Sequence, residues 1–206
     1  MKKLLITFVI LSCFSTAALA KDEEIAIEKC ELTKVQKIEL ENKLKNAENI
    51  ISELQKETAI QIENGYGPFL AAIYDENGNL IAKMPNTVIK DQNCLNHAEM
   101  NTIKEAQRVL GTYDLAPHKL SIYISAEPCI MCTGGIMWSG IKEVYYSVSS
   151  KDVEDITGFD EGYKPNWKEE FEKRGIKVYG PICEEQGKNV LRKYVVSGKH
   201  VYKPSR

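Results

Sequence analysis

The sequence has little of several features that mark common classes of protein. It contains only 3 histidines and 2 tryptophans in 206 residues, and its formal net charge is −2. Without an excess of positive charge, a chain gains little from attraction to nucleic acid phosphates or anionic membranes. After residue 20 there is no repeat, no low-complexity stretch and no Pro/Gly-rich linker. We therefore expect one globular domain that binds neither nucleic acid nor, in its mature form, a membrane.

The first twenty residues differ from the rest. Lys2 and Lys3 precede the apolar run Leu4–Leu11, and Ala18-Leu19-Ala20 closes the segment. A short apolar run between a basic start and an A-x-A site is typical of a secretory signal peptide. The sequence thus predicts cleavage after residue 20 and export to the periplasm or beyond the cell. A lipoprotein modified at Cys13 is the alternative, although the bulky Leu11 disfavours it.

Six cysteines are present, and Cys13 would leave with the signal peptide. Cys30, Cys94 and Cys183 remain after the two discussed below as metal ligands. In an oxidising compartment, one disulfide and one free thiol would account for them. Our prediction is a Cys30–Cys183 bond; the alternative is that all three are small buried hydrophobic side chains.

The remaining chain alternates between helix and strand patterns. Residues 31–64 lack Pro and Gly and carry an apolar stripe at spacings of four and three, which predicts a helix. Predicted strands follow at 69–74, 80–83, 120–125, 142–147 and 176–179. Predicted helices span 97–110, 129–139, 167–173 and 183–196, and a loop carries Gly158-Phe159-Asp160. This order predicts an α/β fold, a three-layer α/β/α sandwich with a mixed central sheet. We divide it into a signal peptide (1–20), a helical extension (21–46) and the main domain (47–206).

Two short motifs carry the chemistry. His97-Ala98-Glu99 opens one predicted helix, and Pro128-Cys129-Ile130-Met131-Cys132 opens another. Cys129 and Cys132 are three residues apart, so they share a helix face and can hold one zinc ion, with His97 as third ligand. No fourth ligand of the same quality is evident, which is typical of a catalytic zinc rather than a structural one.

Each motif alone is a weak signal. A lone Cys-x-x-Cys in an exported protein is also found in thiol–disulfide proteins, and a three-ligand site could belong to a zinc-stabilised binding module. The first alternative predicts a redox-active pair without metal. The second predicts tight zinc without a water-accessible position, and Glu99 would then have no task.

Together, the motifs resemble the zinc nucleobase deaminases of the cytidine deaminase superfamily. The resemblance implies one zinc per subunit, hydrolytic release of ammonia and Glu99 as the group that moves the proton. From residue 67 to 160 the chain is most similar to guanine deaminases. This implies roles in substrate binding for Asn86, Ala98, Trp138 and Asp160.

The resemblance favours a purine base or nucleoside as substrate, with guanine first; cytosine, adenine and free nucleosides are alternatives. It also implies a homodimer in which the C-terminal segment crosses to the partner subunit. The chain departs from the family pattern at Asn96 and from Gly162 onward, which leaves both the substrate and the crossing open.

Overall fold

The computed structural model describes residues 33–203. The predicted signal peptide, the alternative lipid site at Cys13 and the predicted Cys30–Cys183 bond lie wholly or partly outside these residues and stay predictions. No disulfide bond joins any two of the described cysteines, which are Cys94, Cys129, Cys132 and Cys183.

The first element, α1, is a helix of 30 residues, Lys34–Glu63. It begins with a reciprocal cap, in which the Gln36 amide donates to Thr33 Oγ1 at 3.3 Å and the Thr33 amide donates to Gln36 Oε1 at 2.9 Å. The first three turns are mainly exposed, and Ala47 is the first fully buried residue. The predicted domain boundary at residue 47 therefore falls inside a continuous helix, where that helix reaches the sheet.

The sheet has five strands in the order β2-β1-β3-β4-β5. Their bounds are Leu70–Tyr74 (β1), Leu80–Pro85 (β2), Ser121–Ala126 (β3), Glu143–Val148 (β4) and Lys177–Tyr179 (β5). β1 runs antiparallel to β2 and β3, whereas β3, β4 and β5 are parallel to one another. The predicted mixed sheet is confirmed. Parallel strands require crossover connections, and here helices supply them.

Buried side chains alternate between the two faces of the sheet, as the strand period of two requires. Leu70, Ala72, Tyr123 and Tyr145 lie on the face covered by α1. Their neighbours Ala71, Ile73, Ile122, Ile124, Val144 and Tyr146 lie on the opposite face, which contacts buried residues of the helices after β2. With both faces covered, the predicted three-layer arrangement is confirmed.

The other helices are α2 (Val88–Asp91), α3 (Ala98–Leu110), α4 (Ile130–Ser139), α5 (Ser150–Thr157), α6 (Trp167–Glu172) and α7 (Glu184–Val196). The helix α5 lies in the stretch before Gly158-Phe159-Asp160, where the sequence predicts only a loop. Ser149 caps it by accepting from the Asp152 amide, and Gly158 ends it in the left-handed conformation at φ 75°. Among the helices within residues 33–203, none combines the length and apolar composition needed to cross a bilayer.

Candidate metal and substrate site

Two helix N-termini converge at one end of the sheet. His97 is the N-cap of α3 and Cys129 is the N-cap of α4, both in extended conformations. Neither side chain caps its own helix, so both remain available for another partner. Cys132 lies in the first turn of α4 and is fully buried. Exposed amides and the helix dipole at this position favour thiolates.

The three predicted ligands are brought together. His97 Nδ1 lies 3.5 Å from Cys129 Sγ, and the ligand atoms of His97, Cys129 and Cys132 all lie within 4.8 Å of one another. A nitrogen at about 2.05 Å and a sulfur at about 2.3 Å from one tetrahedral zinc would be about 3.6 Å apart. The donor set and its spacing therefore fit zinc.

The two thiols have opposite proton affinities. A hydrogen bond with Cys132, and then the contact with His97, lower the pKa of Cys129 to about 4 despite burial. The same bond and burial raise the pKa of Cys132 well above its usual value. One thiolate is thus already formed at neutral pH, and metal binding would displace the proton of the other.

Glu99 lies in the first turn of α3 and is buried. Burial, with the negative charge of Cys129, raises its pKa to about 7, although His97 acts in the opposite direction. A carboxyl group that titrates near neutral pH can both take and return a proton under ordinary conditions. This environment agrees with the proton-transfer role that the sequence predicts for Glu99.

A cavity of about 590 Å³ opens beside the ligands. Its lining is mostly apolar and includes Val88, Ile130, Met131, Phe159 and Tyr202, with His97, Cys129, Asp160 and Glu161 among the polar members. A smaller inner pocket is shared by Glu99, Glu161, His97 and Cys129. An apolar cavity with a few convergent polar groups is typical of a small-molecule site.

Asn86 is buried directly after β2. Its side-chain nitrogen donates to Tyr202 Oη at 2.6 Å, and its Oδ1 accepts from the Val88 amide at 3.2 Å. A side chain at position 67 would approach Asn86 Oδ1 to 2.9 Å, so glycine is needed there. The amide of Asn86 is thereby held in one orientation next to a residue that lines the cavity.

The other predicted substrate residues lie in different settings. Ala98 is fully buried at the start of α3. Asp160 lines the cavity but is exposed, and its Oδ1 accepts from the Gly162 amide at 3.0 Å. The side chain of Trp138 is 84% exposed on α4 and does not line the described cavity. The roles of these residues in substrate binding stay predictions.

Sequence reasoning missed two residues of the site, Glu161 and Tyr202. Burial, followed by the charges of Cys129 and Glu99, raises the pKa of Glu161 to about 8. The ring of Tyr202 lies 5.9 Å from that of His97 and 4.8 Å from that of Phe159. Neither belongs to a recognisable motif. The only sequence signal for Glu161 was its position next to Asp160, which the resemblance implies as a substrate residue.

Comparison with known proteins agrees with this geometry. Residues 44–148 match the family model of the cytidine and deoxycytidylate deaminase zinc-binding region. The chain is 38% identical to guanine deaminase of Bacillus subtilis over 97 residues, which are 47% of this chain and 60% of that enzyme. It is 31% identical to a probable cytosine deaminase of Schizosaccharomyces pombe over 129 residues, or 60% of this chain and 76% of that one. The match to the first relative thus spans less than two thirds of its length.

Among solved structures, guanine deaminase from Nitrosomonas europaea is similar to this chain with a TM-score of 0.70 and 34% identity. That match covers 72% of this chain and 84% of the other. The likeness therefore extends over the sheet and its helices and not only over the metal-binding motifs.

Proposed function

The chain belongs to the zinc-binding cytidine and deoxycytidylate deaminase family, and from this premise we propose that it deaminates a purine base, with guanine favoured. The reaction consumes guanine and water and releases xanthine and ammonia. The likeness to guanine deaminases in sequence and in structure supports this substrate class. Adenine, cytosine and free nucleosides are the competing substrates to be tested.

The observation that carries the choice of guanine is the second buried carboxyl group, Glu161, in the inner pocket with Glu99. Guanine presents two adjacent N–H donors, at N1 and the 2-amino group, and a carboxylate accepts both. Cytosine presents a ring acceptor beside its amino group, so an ionised Glu161 would face a lone pair there. Burial and the charges of Cys129 and Glu99 raise the pKa of Glu161 to about 8, whereas hydrogen bonds from the two N–H groups of guanine favour its ionised form. In that ionised form Glu161 discriminates in favour of guanine.

His97, Cys129 and Cys132 would hold the zinc, which when bound would supply Lewis-acid activation of a water molecule and lower its pKa to about 7. Glu99 accepts one proton of the attacking water and delivers it to the ring nitrogen next to the reacting carbon. It then accepts the second proton of the same oxygen and delivers it to the departing amino group, which leaves as ammonia. Glu161 holds the opposite side of the same amidine group. Phe159 and Tyr202 cover the base with aromatic surface and exclude bulk water.

Two further expectations from the sequence stay proposals. Export of the chain from Lys21 onward depends on the first twenty residues. A homodimer is supported by the side chains of Trp138 (84% exposed) and Ile130 (54% exposed), which lie eight residues apart and so on one face of α4. Light scattering of Trp138→Ser against the unmodified protein tests this: a dimer that persists unweakened in the variant would exclude this face.

The experiment that tests the proposed function is ammonia release by zinc-loaded residues 21–206, with Glu99→Ala as the inactive control. The panel holds guanine, guanosine, adenine, adenosine, cytosine and cytidine. Turnover of guanine well above every other member is the expected result. Preference for cytosine or for a nucleoside would overturn the choice of substrate and leave the deaminase assignment in place. If no compound of the panel is turned over although zinc is bound, both the choice of substrate and the deaminase assignment are wrong.

A further inference from the structure

A buried ion pair, Glu127 with Lys164, lies beside the predicted metal ligand Cys129, and Glu127 also lines the inner pocket. Lys164 Nζ is 2.9 Å from Glu127 Oε1, and the two side chains are only 9% and 12% exposed. Neither residue belongs to the metal-binding motifs, and no step of the proposed reaction uses Lys164. Glu127 immediately precedes Pro128 and Cys129, so the pair is at the point where β3 passes into α4.

Lys164 has three acceptors. Besides Glu127, its ammonium donates to the carbonyl oxygen of Pro128 and, at 2.7 Å, to Ser150 Oγ. The Pro128 carbonyl also accepts from Thr133 Oγ1 at 3.3 Å, a longer bond. Lys164 is therefore the strong, charged donor to the peptide unit that joins Pro128 to Cys129.

Glu127 accepts hydrogen bonds from two further donors. Trp167 Nε1 donates to Oε1 at 3.0 Å, and the Ser150 amide donates to Oε2 at 3.3 Å. The pair thereby connects the end of β3 to the N-termini of α5 and α6. Its geometry is fixed from both sides, which is what a support for a metal ligand requires.

The same loop is joined to α4 at a second point. The Ile130 amide donates to the Glu161 carbonyl at 3.0 Å, three residues before Lys164. Cys129 thus lies between two contacts, one at Pro128 and one at Ile130, both made by residues 161–164. A shift of this loop would move Cys129 Sγ and the Glu161 side chain together.

We propose that Lys164, held by Glu127, is a positioning residue that fixes the Cys129 turn for zinc and the Glu161 loop for the substrate. The inference about Glu161 rests on the proposed function, whereas the inference about zinc does not. Lys164 does not touch the reacting atoms in this scheme and acts through the Pro128 carbonyl and the loop.

Energetics favour positioning over stability as the role of this pair. Burying two charges carries a desolvation penalty, and the attraction between them offsets it only when their geometry is good. Replacing both members of a buried pair by apolar residues is therefore often neutral or stabilising. Removing one partner alone leaves an unpaired buried charge. A double replacement removes both charges and separates the two roles, because it restores neutrality without restoring a donor to Pro128.

The test compares Lys164→Met, Lys164→Arg and the double variant Glu127→Gln/Lys164→Met with the unmodified whole chain. Lys168→Met is the matched control, because Lys168 lies over the Trp167 ring and donates to Tyr146 Oη at 2.7 Å without contacting the Cys129 turn. The readouts are zinc affinity by competition with a chromogenic chelator, the melting temperature of metal-free protein, and kcat and KM for guanine.

We expect Lys164→Met to bind zinc about 10- to 100-fold more weakly, as for other groups that orient metal ligands. Lys164→Arg should recover most of that loss, and Lys168→Met should bind zinc as the unmodified chain does. The double variant should regain the metal-free melting temperature but not the zinc affinity. Zinc affinity within twofold of the unmodified chain in Lys164→Met, or its full return in the double variant, would overturn the proposal.

The zinc readout also separates this inference from the proposed function. If no purine is a substrate but Lys164→Met still weakens zinc binding, the proposed substrate fails and the positioning of Cys129 stands. If guanine is turned over but Lys164→Met does not change the zinc affinity, the proposed substrate stands and the positioning of Cys129 by Lys164 fails. With guanine as substrate, a rise in KM in Lys164→Met at saturating zinc would support positioning of the Glu161 loop, and an unchanged KM would overturn that part.

Discussion

The side-chain nitrogen of Asn86 donates a hydrogen bond of 2.6 Å to the hydroxyl oxygen of Tyr202, 116 residues later in the chain. Tyr202 lines the cavity and its ring contacts those of His97 and Phe159. The C-terminal segment is itself held by Tyr194, whose hydroxyl donates to the His200 carbonyl at 2.6 Å. In the described chain this segment therefore covers its own site. The crossing to a partner subunit that the family resemblance implies stays a prediction.

This contact predicts the effect of Tyr202→Phe. The substitution keeps the ring but leaves the buried Asn86 amide without its acceptor. Because a hydrogen bond contributes about 1 kcal/mol net, we expect KM for guanine to rise about fivefold with a smaller change in kcat. Steady-state kinetics against Tyr163→Phe, at a ring that is 85% exposed, check this. Equal kinetics in the two variants would show that the Asn86 contact does not matter for binding.

The proton-transfer role proposed for Glu99 predicts a selective loss of turnover in Glu99→Gln. The amide keeps the shape of the side chain but cannot accept the water proton, so kcat should fall by about 10²- to 10⁴-fold. Zinc content by elemental analysis should stay at one ion per chain, because Glu99 is not a ligand. Normal turnover in this variant would refute the assignment, and loss of zinc would make Glu99 part of the metal site instead.

Two adjacent carboxyl groups in one loop allow a test of substrate recognition. Glu161→Gln replaces one of the two buried acceptor oxygens by an NH2 donor and should lower kcat/KM for guanine by about 10- to 200-fold, the range for losing a charged hydrogen bond in a specific site. Asp160→Asn changes the exposed neighbour and should have an effect of less than about threefold. If the Asp160 variant loses more activity than the Glu161 variant, the original sequence prediction for Asp160 is the better one.

The low pKa of Cys129, about 4, predicts how metal-free protein reacts with iodoacetamide. A free thiol has a pKa of about 8.5 and loses reactivity roughly tenfold per pH unit below it. Cys129 is already a thiolate at pH 6, so its alkylation rate should change little between pH 6 and 8. Peptide mass spectrometry measures the rate at this residue, with glutathione as reference. Added zinc should block the reaction, and a pH dependence like that of glutathione would contradict the thiolate.

The ion pair between Lys43 and Glu143 predicts a pH-dependent stability of α1. Burial raises the pKa of Glu143, but Lys43 and the hydroxyl groups of Tyr145 and Ser121 outweigh it, and the pKa is lowered overall. The folded chain therefore holds this proton less tightly than the unfolded chain, whose pKa is about 4.3. The resulting stabilisation is complete above that value and disappears as pH falls through the folded-state pKa.

Lys43→Met should accordingly lower the free energy of unfolding by about 1 kcal/mol at pH 7, and the difference should vanish in acid. Urea unfolding at pH 7 and at low pH measures it. Lys56→Met breaks an exposed pair with Glu53 on the same helix and should change the stability by less. A loss in Lys43→Met that is the same at both pH values would come from packing and not from the Glu143 charge.

The sequence by itself determined which residues are the candidate metal ligands and the candidate proton-transfer group. His97, Glu99, Cys129 and Cys132 lie in two short segments, each at a helix start, and the spacing of ligands within one helical turn is a local property that residue order encodes directly. The sheet and most helices followed from periods of two and 3.6 for the same reason. The sequence does not predict the helix α5, whose eight residues include only two large apolar side chains, those of Val153 and Ile156.

Only the tertiary structure decided which polar residues join these ligands. Glu161 is buried beside Glu99, and Tyr202 reaches Asn86, across 62 and 116 positions of the chain. Asp160 and Trp138, which the family resemblance implies as substrate residues, are exposed, although Asp160 also lines the cavity. Local patterns fix backbone conformation, but the burial of a single side chain depends on which distant elements pack against it. The burial of Glu161 and Tyr202 is therefore determined only when β3, α4 and the C-terminal segment pack together.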